Sequence, residues 1–109
     1  MAFPFECRFV APDDIPLAPT YRRRSAYIAF HQYRSMPHQP FFDAAEDVFA
    51  TVEGRPHWGK MHRLGADELS ARYPRFADFV ALRDELDATG VFSNDYLDRV
   101  LGAPTGATR

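Results

Sequence analysis

From Phe3 to Val10 the side chains alternate, with Phe5, Cys7 and Phe9 on one side and Glu6 and Arg8 on the other. A period of two is that of a strand with a single apolar face. The next segment, APDDIPLAP at 11–19, is rich in proline and acid and reads as a loop. AYIAFHQY at 26–33 is β-branched and aromatic, and predicts a second strand. Its alternation places Ile28 and Phe30 on one face and Tyr27, Ala29, His31 and Tyr33 on the other.

The period then changes. Phe41, Phe42, Ala45, Val48, Phe49 and Val52 follow helical spacing, which predicts a helix over Phe41–Glu53 with Gly54 as its C-cap. A short helix is expected over Ala66–Arg72. Another starts at Pro74, with Phe76, Phe79, Val80, Arg83 and Leu86 along one stripe. DATG at 87–90 is a turn. Ser93 is the expected cap of a last helix carrying Tyr96, Leu97, Val100 and Leu101, and Gly102 ends it. The order gives an α+β fold: a small antiparallel sheet followed by C-terminal helices, occupying 1–102, with 103–109 as a flexible polar tail.

Composition changes this picture little. The 109 residues suit one small domain, and ten Phe and five Tyr among them argue against disorder. A net charge of −2 leaves no basic field for a nucleic-acid backbone, and Arg22-Arg23-Arg24 is too short to make one. One cysteine, Cys7, cannot form an internal disulfide, which points to a reducing compartment such as the cytoplasm. No apolar run reaches the ~20 residues of a membrane span, and the N-terminus lacks the pattern of a signal peptide. The first strand begins almost at once, as expected of a chain cut from something longer.

Three groups of residues carry candidate chemistry. Glu6 and Arg8 leave the same face of one strand; an acid beside a guanidinium can hold a substrate hydroxyl in a fixed pose, or can be an exposed charge pair and no more. Arg55-Pro56-His57-Trp58-Gly59-Lys60 sets cations and an indole around a glycine. That set suits an anion or a planar ring that gains negative charge, and it equally suits a tryptophan anchoring a loop with Lys60 in water. The histidines, His31, His38, His57 and His62, show no metal-ligand spacing, so no metal is expected. No glycine-rich phosphate loop is present.

Together these segments resemble one family, the aldonolactone and alditol oxidases, which includes D-arabinono-1,4-lactone oxidase, L-gulonolactone oxidase and the sugar-alcohol oxidases of the vanillyl-alcohol-oxidase-like flavoproteins. FECRF resembles their E-x-R strand, AYIAFHQY the strand after it, and GRPHWGKMH their HWGK segment. LRDELDATGVFSNDYLDRVLG resembles their C-terminal run, with Ala88 in place of a usual proline. The likeness implies a C-terminal substrate-side (cap) portion of an FAD-dependent oxidase, inactive without an FAD-binding domain or subunit that this sequence does not match. It implies that Glu6 and Arg8 bind substrate hydroxyls of a sugar lactone or polyol, with His31 on the pocket wall. It implies that Lys60 sits by the flavin and the reacting hydroxyl, where it assists proton removal or stabilises the reduced, anionic flavin, with His57 and Trp58 shaping the cofactor side. Glu6, Arg8 and Lys60 are then expected to converge on one cleft. Peripheral membrane association occurs in such relatives. A complementing subunit, or a binding module that has kept the fold and lost the chemistry, would carry the same motifs.

Overall fold

A computed structural model describes residues 4–106. The elements run β1 (Glu6–Val10), β2 (Ser25–Ala29), α1 (Gln39–Ala50), α2 (Ala66–Arg72), α3 (Phe76–Leu86) and α4 (Asp95–Leu101). The order is the α+β one expected, with β1 and β2 antiparallel. The chain forms two compact units, the first running to Arg63 and the second starting at Leu64.

In the first unit the register pairs Glu6 with Ala29, Cys7 with Ile28, Arg8 with Tyr27 and Phe9 with Ala26. Both strands are shorter than their sequence patterns. β1 begins at Glu6; of the expected start, Phe3 lies outside the described residues. β2 stops at Ala29, four residues before Tyr33. The register explains the stop, because the next positions oppose Phe5 and Pro4, and proline has no N–H to donate to the ladder. Phe30 turns instead into an aromatic cluster. Its ring meets Phe5 edge-on at 4.9 Å, Phe41 edge-on at 5.4 Å and Phe49 at 5.7 Å.

The two faces of the ribbon are covered in an unusual way. Tyr27, Ala29 and Glu6 are half-buried, whereas Cys7, Phe9 and Ile28 are exposed, Phe9 by 87%. Leaving a side chain of that size in water forgoes about 1.5–3 kcal/mol of burial free energy.

The loop between the strands is ordered by Asp13. Its carboxylate accepts from Ile15 N at 3.0 Å and from the Thr20 hydroxyl at 2.5 Å, while its carbonyl accepts from Arg22 N at 2.9 Å. Thr20 and Tyr21 are buried there.

Helix α1 starts two residues before the sequence pattern, with Pro40 in its first turn, where a missing N–H costs nothing. It ends at Ala50 rather than Glu53; Thr51–Glu53 form a turn. The left-handed residue of that turn is Glu53, at φ 52°, not Gly54. Gly54 is needed for another reason. A Cβ there would lie 2.8 Å from Phe49 Cβ and 2.9 Å from Phe49 O, on which Gly54 N already closes a 2.8 Å hydrogen bond.

The second unit is helical, with α2 packed on α3 and α4. Leu64, Leu69, Tyr73, Phe76 and Val100 form its buried core, and Pro104 is also buried. The N-terminus of α2 is closed by Glu68, whose carboxylate accepts from Gly65 N at 2.8 Å. The cap of α4 is Asn94, accepting from Leu97 N at 2.9 Å, and not Ser93 as the sequence pattern had it. Gly102 ends the helix at φ 79°, as expected. The α3 stripe divides: Phe76 is buried and Val80 and Arg83 half-buried, but Phe79 and Leu86 are exposed beside Phe92, lining an apolar hollow of about 310 Å³. Asp87 holds the following turn, accepting from Val91 N at 2.8 Å and Phe92 N at 3.0 Å. Ala88 supplies its carbonyl to Gly106 N at 3.1 Å.

Candidate functional site

All six candidate residues lie in the first unit. Glu6 and Arg8 leave the same face of β1 and are ion-paired through Glu6 Oε1 and Arg8 Nη2. The other carboxylate oxygen, Oε2, is 3.8 Å from His31 Nε2. Strand alternation puts the first two side by side; the end of β2 brings His31 to them. The side chains are 41%, 74% and 52% exposed respectively. An ion pair this open to water contributes only about 0–1 kcal/mol, so stability is a weak reason for its presence.

The second group is a turn from His57 to Lys60. Lys60 N donates to His57 O at 3.0 Å, and Gly59 N donates to His57 Nδ1, also at 3.0 Å. The latter bond requires Nδ1 to be unprotonated and so leaves Nε2 to carry the proton. Trp58 is half-buried, and its indole Nε1 donates to Leu17 O at 2.8 Å. The Lys60 side chain is exposed and makes no ion pair or hydrogen bond among the described residues.

Two neighbours that the sequence pattern did not assign to positioning hold this turn at both ends. Before it, Arg55 donates through Nη1 to Tyr21 O at 3.0 Å and Pro19 O at 3.3 Å. After it, Arg63 meets three carboxylates of α1: Asp47 through Nη2, Glu46 at 3.5 Å and Asp43 at 3.6 Å. Its backbone N–H also donates to Glu46 Oε1 at 3.0 Å. The hydrogen bond to Asp47 is the main cause that raises the Arg63 pKa above its usual value, with the three nearby negative charges adding to it. Asp43, Glu46 and Asp47 fall within two turns of a helix, at spacings that put them on one side, and that was the available signal for this clamp.

The structure thus brings Glu6, Arg8 and His31 together, and joins His57, Gly59 and Lys60 in one turn. The described contacts are separate for the two groups. The first group presents an acceptor and a donor fork side by side, which suits vicinal hydroxyls. The second presents a hydrogen-bonded backbone turn with the exposed ammonium of Lys60 at its end.

A sequence profile of the D-arabinono-1,4-lactone oxidase family matches residues 1–100. The chain belongs to that family. It is 50% identical over 100 residues to an L-gulono-1,4-lactone dehydrogenase of Mycobacterium tuberculosis, covering 92% of this chain and 23% of the relative. It is 41% identical over 101 residues to the L-gulonolactone oxidase of Scyliorhinus torazame, covering 89% and 23%. To the alditol oxidase of a Streptomyces species it is 39% identical over 97 residues, covering 88% and 23%. The chain therefore spans about a quarter of the length of these curated relatives. Among the described residues no helix is long and apolar enough to cross a membrane.

Proposed function

We propose that this chain is the substrate-side, C-terminal part of an FAD-dependent oxidoreductase that oxidises a hydroxyl of a sugar lactone or polyol, and that it works only with the flavin-binding part of such an enzyme. The observation that carries the reading is the Glu6 carboxylate shared between Arg8 and His31 on the open polar face of the ribbon. Membership of the lactone oxidase family and the activities for which the relatives are named support the substrate class.

The residues present fit the ring side of a flavin site. Lys60 offers an exposed ammonium that makes no ion pair or hydrogen bond among the described residues, on a backbone turn that Trp58 fixes through Leu17. A flavin held on that side would supply the acceptor for the hydride of the hydroxyl-bearing carbon, with the hydroxyl proton passing to water. Lys60 places positive charge where the reaction builds negative charge, and His57 and Trp58 hold it there. Glu6 accepts a hydrogen bond from one substrate hydroxyl, and Arg8 donates to a neighbouring oxygen. His31 limits the pocket beside Glu6. Orientation of this kind is worth several kcal/mol of barrier even without proton transfer by the protein.

The test is a chimera in which this chain replaces the matching 100 residues of the Mycobacterium tuberculosis relative. Lactone oxidation by the chimera, lost on Lys60→Ala or Glu6→Gln with flavin content unchanged, is the expected result. Stable flavin and turnover by the 109-residue chain alone would overturn the need for a second part.

A further inference from the structure

The apolar face of the ribbon is the wrong way round for a self-sufficient unit. At its Phe30 end it is closed by Phe41 and Phe49 of α1. Beyond that point Cys7, Ile28 and Phe9 form a row open to solvent, since Cys7 pairs with Ile28 and Phe9 with Ala26 across the ladder. The row ends in an open hollow of about 540 Å³ beside Phe9, Val10 and Ala26, with Arg24 among its lining residues. The polar face, with Glu6 and Arg8, is the opposite one.

We propose that this row is a docking surface, and that its occupant is an apolar surface from the remainder of a family-length enzyme, the part of the relatives that this chain does not span. A relative that aligns with 92% of this chain is matched over only 23% of its own length, and so is about four times as long. The remainder is thus the partner that relatives carry in the same polypeptide, where a tether gives it an effective concentration that a free second copy does not reach. Apolar contact on the Cys7–Phe9 face leaves the Glu6–Arg8 face open to substrate, so one two-stranded ribbon separates assembly from recognition. The inference rests on the reading above that the chain acts with a flavin-binding part, and goes beyond it by naming the face that meets the rest of the enzyme.

Cys7 is the probe, as the chain's sole cysteine and an exposed one. Its alkylation by iodoacetamide is followed by peptide mass spectrometry in the 109-residue chain and in the chimera with the Mycobacterium tuberculosis relative. The expected result is rapid alkylation in the chain and alkylation at least about 100-fold slower in the chimera. Phe9→Asp should leave the melting temperature of the chain unchanged, and should restore Cys7 alkylation in the chimera. Equal alkylation rates in chain and chimera overturn the docking face, whether or not the chimera turns over. Protection of Cys7 in the chain alone that grows with its concentration assigns the face to a second copy and also overturns the proposal. A chimera with Cys7 protected and no lactone oxidation would sink the catalytic reading while leaving the docking face standing.

Discussion

The indole N–H of Trp58 donates to the carbonyl of Leu17 at 2.8 Å, so the tryptophan of the HWGK segment is a clasp between two loops 41 residues apart. Arg55 makes the same kind of connection to Pro19 and Tyr21. Two of the most prominent side chains in this segment are therefore spent on holding the turn. Among the described residues the Lys60 side chain makes no such contact, and in the proposed site it is the one that supplies charge.

Trp58→Phe tests the clasp. The aromatic bulk stays and the N–H is lost, which leaves Leu17 O without that donor. The expected loss is about 1–2 kcal/mol in urea unfolding followed by far-UV circular dichroism. A change below about 0.3 kcal/mol would mean that the bond is fully replaced by water.

Lys60→Ala should behave in the opposite way. Its ammonium is exposed and has no partner among the described residues, so stability of the chain should change by less than about 0.5 kcal/mol. In the chimeric enzyme the same substitution should lower kcat at least about 100-fold, the scale of removing one preorganised charge from a developing one. Lys60→Arg keeps the charge, in another shape, and should recover part of that loss. A large loss of stability together with activity would make Lys60 a structural residue.

Much of this organisation was legible in the sequence. Alternation alone separated Glu6 and Arg8 from Cys7 and Phe9, and the register keeps those faces. The short helix expected over Ala66–Arg72 is α2, with the same bounds. The rest depended on contacts far apart in the chain. Nothing local to AYIAFHQY says that Pro4 will stand opposite His31 and end the ladder. Likewise Gly54 looks like a left-handed cap, because Phe49 beneath it is visible only once the turn has formed. Asn94 and Ser93 are both good capping residues, and which one caps depends on where the preceding Asp87 turn delivers the chain. The exposed apolar row is the case where pattern and structure part most clearly: the period identifies an apolar face and is silent on what covers it.

Two glycines give a graded test of the turn after α1. At Gly54 an added Cβ meets Phe49 Cβ at 2.8 Å and Phe49 O at 2.9 Å, and neither belongs to the free end of a flexible side chain. At Gly59 the nearest atom is His57 Cε1 at 3.4 Å, part of an exposed ring that can swing away. Gly54→Ala should therefore cost about 1–3 kcal/mol, as overpacking does elsewhere, and Gly59→Ala less than about 0.5 kcal/mol. Equal costs at the two positions, measured by thermal unfolding, would contradict the close approach at Phe49.

Glu53 gives the converse experiment. It holds φ 52°, a conformation that costs a side chain about 1 kcal/mol relative to glycine. The reason it is tolerated is partly backbone: Glu53 O accepts from Arg23 Nη2 at 3.1 Å, a bond any residue at this position can make. Glu53→Gly keeps that bond and removes the clash of Cβ with the backbone, but it also enlarges the freedom of the unfolded chain, which offsets part of the gain. The net expectation is a small stabilisation, between zero and about 1 kcal/mol. Glu53→Val, β-branched, should instead destabilise, because a branched Cβ fits the left-handed region poorly. If glycine were the worse of the two, the turn would owe its shape to contacts of the Glu53 side chain rather than to its backbone.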